Sequence, residues 1–437
     1  MSAPEFWLAE HHRAAAALPG AALPWLAALR RQAIERFADE GWPTTRQENW
    51  RHTSLAFMEQ YPLGTGAHAP TQAAHATLAA LRASDPGAHW LAFVDGRFAP
   101  ALSAISALPA GARIGSLADA LAHEPEAVEA AFGRAVDGDS PAALNAAFAG
   151  DGAWVRLARG VAVEPPIHLV FLGGGAAHRH LRNLVVAEAG SQARIVEHYP
   201  QSGEAATLTT AVTRIEAGAD SRIEHIKLQQ EGEQAIHLAT IEADQARGAV
   251  FASHALSFGA RLARTDIRTR LGEGAEVLLN GLYHADGRRH VDHHTHIDHA
   301  RPRGTSREYY RGLLDGSARG VFAGRIVVAQ DAQRTDALQR CDNLLLSPRA
   351  EADARPELEI YADDVKCAHG ATVGQLDEDA LFYLRARGVD AGHARQLLTY
   401  AFAAEVLERI AHPPLRALGR AALFARLPDA ARLEELS

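Results

Sequence analysis

The alternation of apolar and polar positions changes character twice along the chain. Up to about residue 150, apolar side chains recur mostly at helical spacing. In "PWLAALRRQAIERFADEG", Trp25, Leu26, Leu29, Ala33 and Phe37 share one face, and Gly41 supplies the stop. "HWLAFVDGRFAP" is the exception, because alternation around Asp95-Gly96 predicts a tight hairpin. "GSLADALAHEPEAVEAAFG" predicts helix again, opening at a serine cap. From about 151 to 346 the period falls to two, in short segments such as "NLVVAEAG", "ARIVEHY", "SRIEHIKLQ", "IHLATIEAD" and "EVLLNGLY". Helical spacing then returns. Asp377 caps "EDALFYLRAR" and Gly388 ends it; Asp390 caps a second helix carrying Ala394, Leu397, Leu398, Ala401, Phe402, Val406 and Ile410 on one face. A weaker amphipathic stretch follows Pro413-Pro414. Three regions result: a mostly helical 1–150, a β core at 151–346, and 347–437, a strand followed by a helical hairpin.

Turn phrases repeat within the β core. "EAGSQARI" and "EAGADSRI" set Gly190 and Gly218 28 residues apart, and Gly274 lies another 56 on, twice that period. Strands spaced by glycine turns at a fixed period, with no helices between them, predict a stacked solenoid. Each coil of such a stack buries its apolar edge only against the coils above and below. A β-sandwich also fits short, evenly spaced strands; the repeated phrase favours the solenoid.

Composition narrows the function classes. The chain has 437 residues, 47% of them hydrophobic, and a formal charge of −9, which argues against a general nucleic-acid binder. No apolar run nears the roughly 18 residues that span a bilayer. The first 20 residues lack a basic stretch leading into an apolar core, so a cytoplasmic protein is expected. Two cysteines make no disulfide framework and fit a reducing compartment.

Two clusters carry candidate chemistry. In "DDVKCAHGATVG", one of only two lysines, Lys366, adjoins one of only two cysteines, Cys367, with His369 two positions on. The preceding "PELEIYADDVKC" reads as one strand interrupted by a bulge at Ala362-Asp363-Asp364. If extended, Cys367 and His369 aim the same way; on a helix they would diverge by about 200°. A thiolate and an imidazole suit iron or zinc but fall short of a closed site. Lys366 would favour the thiolate. On the residues alone, a structural role, a metal-related role and a nucleophile remain open. The second cluster, "RRHVDHHTHIDHARP", holds His290, His293, His294, His296 and His299. In a strand, His293, Thr295, Ile297 and His299 face one way, and His294, His296 and Asp298 the other. The His294/His296 pair has metal geometry, with Asp292 and Asp298 as supporting partners; polar side chains on an exposed solenoid face are the favoured reading. Cys341 reads as a small core residue. Neither a phosphate-binding loop nor a nucleophile elbow is present.

Taken together, "SREYYRGLLDGSARGVFAGRIVV", "QRTDALQRCDNLLLSPRAEADARPELEI", "DDVKCAHGATVGQLDEDALFYLRARGV" and "GHARQLLTYAFAAEVLERI" resemble the SufB/SufD family of iron–sulfur cluster assembly. "PTTRQENWRHTSL", with Glu48, Asn49, Trp50 and Thr53, is similar to its SufD branch, as is "FYL" after the KCxHG phrase. The resemblance implies a right-handed parallel β-helix flanked by N-terminal and C-terminal helical regions. It implies a non-catalytic scaffold that pairs with a SufB paralogue and binds the ATPase SufC through its C-terminal helices, with a homodimer allowed when unpaired. It also implies a transient iron–sulfur cluster or iron at His369, less firmly at Cys367, shared with SufB; no cofactor is held tightly by this chain alone. Lys366 would support that site, and Phe382, Tyr383, Arg387, Phe402 and Glu405 would meet the ATPase. Nucleic acid and membrane are not expected partners. The rivals are a β-helix enzyme acting on carbohydrate and a standalone His-ligated metalloprotein.

Overall fold

The computed structural model describes residues 3–61, 72–132, 139–173, 175, 178–201 and 203–427. From Ala153 to Gly374 the chain winds as a parallel β-solenoid of about seven turns. Each turn gives one strand to each of two sheets. The first sheet stacks Ile167–Leu172, Gln192–Tyr199, Arg222–Gln229, Val250–Ser257, Glu276–Ala285, Thr305–Leu314, Asp336–Leu345 and Lys366–Gly374. The second stacks Ala153–Leu157, His178–Ala187, Thr207–Ala217, Ala235–Gln245, Leu262–Leu271, His290–His299, Arg319–Val328 and Glu351–Ile360. Coil length varies from 26 residues, Val250 to Glu276, to 32, Arg319 to Glu351. The repeated glycine phrase marks the corners, and Gly190 and Gly274 take the positive φ those turns require (71° and 62°).

The two ends of the stack differ. At the N-terminal end, His89–Val94 joins the first sheet and turns through Asp95-Gly96, both at positive φ, into antiparallel Arg97–Phe98. Ala112–Ser116 closes the second sheet, also antiparallel. At the C-terminal end, Lys366–Gly374 and Glu351–Ile360 are the last strands of their sheets, each with one edge open. The stretch expected to be one bulged strand is thus two strands on different sheets. "PELEI" belongs to one, "KC" opens the other, and residues 361–365 make the corner between them. The polar run that looked like a bulge is a solenoid turn.

Helices cover both sheets from outside. Trp7, Phe37, Trp42 and Phe148 of the N-terminal region pack on Leu208, Ile236, Leu238 and Leu262 of the second sheet. Pro24–Glu40 ends at Gly41 (φ 64°), and the Ser116 hydroxyl caps Leu117–His123 by accepting from the Asp119 N–H. Ala391–Leu407 and Pro413–Phe424 bring Val406, Leu407, Ile410, Leu415 and Leu423 against Ile226, Leu228, Leu256, Leu282 and Leu313 of the first sheet. With both faces covered, the central strands are buried along nearly their whole length. The Ala391–Leu407 helix is turned relative to expectation: Ala401 is exposed, whereas Ala403 and Leu407 are buried. It packs on the solenoid and on the following helix together, so its apolar stripe is wider than one seven-residue pattern conveys.

The interior is not purely apolar. Glu197 accepts from Tyr199 Oη (2.6 Å), His225 Nε2 (3.1 Å) and Asn183 Nδ2 (3.3 Å), and from the Thr213 hydroxyl. Burial works to raise its carboxyl, but these partners outweigh it and hold the group at about 2. Glu231 is similarly held by His237 (2.6 Å) and Thr209 (2.6 Å). Between them lies the other lysine, Lys227, fully buried, 5.2 Å from the Tyr199 ring centroid and pushed down to about 8 by burial.

Candidate functional site

The open end of the solenoid gathers the residues singled out in the KCxHG phrase. In the last ladder Lys366 lies opposite Asp336, Cys367 opposite Ala337, His369 opposite Gln339 and Ala371 opposite Cys341. Ala337, Gln339 and Cys341 are all buried in the interior, so Cys367, His369 and Ala371 form the inward row of the next coil. Among the described residues, no further coil covers them. His369 is exposed, and Cys367 is half-buried against the interior cluster. The extended strand therefore aims both donors over the solenoid axis, as their spacing predicts.

Lys366 faces the opposite way, outward beside Asp336. The Cys367 thiol is pushed up, not down: burial is the main cause, opposed by the Ala337 N–H and reinforced by the Asp336 carboxylate. The adjacent lysine therefore gives the thiol no thiolate character in the free chain. Alternation along the strand separates two neighbours in sequence onto opposite faces. Cys341 is fully buried, its thiol pushed up to about 12 by burial, with Asn343 Nδ2 at 3.4 Å from Sγ. It is a core residue.

Apolar side chains surround the open end. Tyr361 is 63% exposed and Val373 49%, with Ile360 beside them. On the helix Glu378–Ala386, Phe382 (72%) and Tyr383 (57%) stand in solvent, and the Arg387 guanidinium lies 4.9 Å from the Tyr383 ring centroid. Phe402 and Glu405 sit elsewhere. The Arg311 guanidinium lies 4.7 Å from the Phe402 ring centroid and pairs with the exposed Glu405 carboxylate, which also takes Arg409 at 3.2 Å. These two contact the solenoid of their own chain.

The histidine-rich strand has a different task. His293 and His299 face inward and are buried, whereas His290, His294 and His296 face outward, the alternation expected of a strand. The outward row anchors the N-terminal segment. Thr53 Oγ1 donates to Asp292 (2.5 Å) and accepts from His290 (2.8 Å), while Arg264 bridges Asp266, Asp292 and the Asn49 carbonyl beneath the Trp50 ring (3.7 Å). His294 Nε2 lies 3.2 Å from Arg264 Nη1 and 3.1 Å from Asp292 Oδ1. His296 lines an open cleft of about 350 Å³ with Arg268, Arg325 and Arg355. Among the described residues, no group of three or more His, Cys, Asp or Glu is arranged to hold a metal ion. A groove of about 720 Å³ along the turns does hold Glu188, Glu216 and Asp244, but Arg156 pairs with the first and Arg214 with the other two. No helix among the described residues is long and apolar enough to cross a membrane.

What the fold defines is a β-solenoid closed at one end and unfinished at the other, presenting one thiol and one imidazole over its axis. The comparisons place it in a family. The profile described as SUF system FeS cluster assembly, SufBD core domain, matches residues 171–402, and the SufBD protein N-terminal region matches 5–169. The chain belongs to the SufBD family of iron–sulfur cluster assembly proteins. It is 32% identical over 411 residues to the iron-sulfur cluster assembly protein SufD of Escherichia coli, covering 92% of this chain and 93% of that one. An iron-sulfur cluster assembly SufBD family protein of Synechocystis is 32% identical over 84% of each chain. A chloroplastic protein of Arabidopsis thaliana, ABCI7, is 27% identical over 92% of this chain and 86% of its own.

Sequence reasoning missed the inward groups beneath the site, Gln339 and Glu308, and the interior ion set around Lys227. Polar residues at inward positions look in sequence like the exposed face. The rarity of lysine was the one signal that pointed to Lys227.

Proposed function

We propose that this chain is a scaffold subunit of a SUF assembly complex, with no catalytic step of its own. It pairs through the open solenoid end with a SufB-type paralogue, and the nascent cluster or its iron is the cargo held between them. His369 supplies an imidazole to that cargo and Cys367 a thiolate once the cargo displaces its proton. Phe382, Tyr383 and Arg387 meet a SufC-type ATPase. The observation that carries the reading is the unfinished coil: two unpaired strand edges, two soft donors and exposed apolar side chains occur together at one end. Two donors bind iron incompletely, which suits a site that must pass its cargo on.

The test is co-expression with SufB and SufC partners, followed by cluster reconstitution with wild type and with His369→Ala. Because His369 is exposed, the variant should assemble normally yet yield far less cluster. An intact complex with full cluster yield would remove His369 from the site.

A further inference from the structure

Beneath His369 lies a buried polar pair. On the inward row, Leu279, Glu308, Gln339 and His369 follow one another on successive coils. Adjacent side chains on such a row lie about 4.8 Å apart, within reach of a hydrogen bond between polar tips. Gln339 and Glu308 are fully buried, and Gln339 Nε2 donates to Glu308 Oε2 at 2.6 Å. That bond commits the nitrogen edge of the amide. The other edge, Oε1, is buried with no hydrogen-bond partner among the described residues. A buried amide oxygen left unpaired keeps its full desolvation penalty, and the next polar side chain on the row is the His369 imidazole.

Room for this amide is reserved from the facing sheet. A Cβ added at Gly324 would stand 2.3 Å from Gln339 Nε2 and 2.9 Å from its Cδ. Gly324 has no positive φ, so its lack of a side chain serves space, not backbone conformation. Leu279 beneath offers Glu308 no competing polar group.

We propose that Gln339 is the positioning residue for His369: its Oε1 accepts the ring N–H, fixing one tautomer and turning the other ring nitrogen, as a lone pair, out of the open end. Glu308 acts through Gln339 by holding the amide with its oxygen toward the histidine. This inference rests on the assignment of His369 to the cargo site, and it deepens that assignment by naming what orients the ring.

The experiment has a readout independent of cluster formation. The isolated chain is labelled with ¹⁵N-histidine, and the His369 ring resonances, identified by their loss in His369→Asn, are recorded near pH 8. In wild type a single tautomer is expected. Gln339→Leu and Glu308→Leu should give the averaged shifts of an unconstrained exposed histidine. Glu308→Gln keeps an acceptor for the Gln339 amide and should retain the wild-type pattern. Gly324→Ala leaves both polar residues in place but displaces the amide, so it answers the question even if the leucine variants do not fold. In the complex with its partners, Gln339→Leu and Gly324→Ala should lower iron retention or cluster yield roughly 10-fold or more. Unchanged His369 resonances in Gln339→Leu or Gly324→Ala would overturn the proposal and leave the scaffold reading standing. A tautomer shift with full cluster yield in His369→Ala would do the reverse, sinking the cargo role while the Gln339 contact stands.

Discussion

Replacing Glu308 with glutamine should change how the fold responds to pH, in a direction set by its burial. Burial pushes the Glu308 carboxyl from 4.5 up to about 7. Below pH 4.5 it is protonated both folded and unfolded and costs nothing. Between 4.5 and 7 the unfolded chain ionises while the folded one keeps its proton, so stability falls by about 1.4 kcal/mol per pH unit. Above 7 the loss is complete, at about 3 kcal/mol in total. Glutamine cannot ionise, and its carbonyl still accepts from Gln339. Tyr310 and Cys341 nearby are pushed up and stay neutral throughout, so they add no slope of their own. Glu197, Glu224 and Glu231, each held at about 2, lose their stabilising ionisation only in stronger acid, and do so equally in both proteins. Urea unfolding of wild type and Glu308→Gln, followed by circular dichroism from pH 4.5 to 8.5, gives the difference directly. The variant should gain about 3 kcal/mol on the wild type across that range. A difference that stays flat with pH refutes the reasoning, because Glu308 would then titrate in the fold as it does in the unfolded chain.

Three further outcomes are expected. Iodoacetamide should modify Cys367 in the native chain and leave Cys341 untouched until urea is added, as peptide mass spectrometry would read; equal labelling would contradict the buried placement of Cys341. Gly281→Ala should lower stability by about 1–3 kcal/mol, because the new Cβ would stand 2.1 Å from Tyr310 Cε1, and a wild-type melting temperature would show that ring to be free to move. Phe382→Asp with Tyr383→Asp should leave the melting temperature unchanged, both side chains being exposed, and abolish co-purification with a SufC partner while SufB pairing persists; retained ATPase would place that contact elsewhere.

Much of the architecture was legible because the period of the pattern matches the geometry. The stops and caps at Gly41, Ser116, Asp377 and Asp390 and the hairpin at Asp95-Gly96 fall where local chemistry places them. The strand expected across 356–367 fails for a reason built into the fold. In a solenoid, the end of one strand, a corner and the start of the next fit within a dozen residues, and a polar corner such as 361–365 looks the same as a bulge in one strand. The alternation that puts Cys367 and His369 on one side puts Lys366 on the other, so neighbours in sequence are not neighbours in space. The inward polar groups were invisible for a deeper reason. Glu308, Gln339 and Lys227 are defined by what sits one coil away, about 30 residues distant in sequence, and periodicity within one strand carries no trace of it.

The antiparallel closure at the far end of the stack limits what the open end can build. A rod of stacked coils with two free ends could add subunit after subunit into a filament, each new edge templating the next. Here Arg97–Phe98 and Ala112–Ser116 act as a chain terminator. On the proposed pairing, association through the open end stops once a single partner is seated, and an aggregation hazard becomes a joint with a count of one.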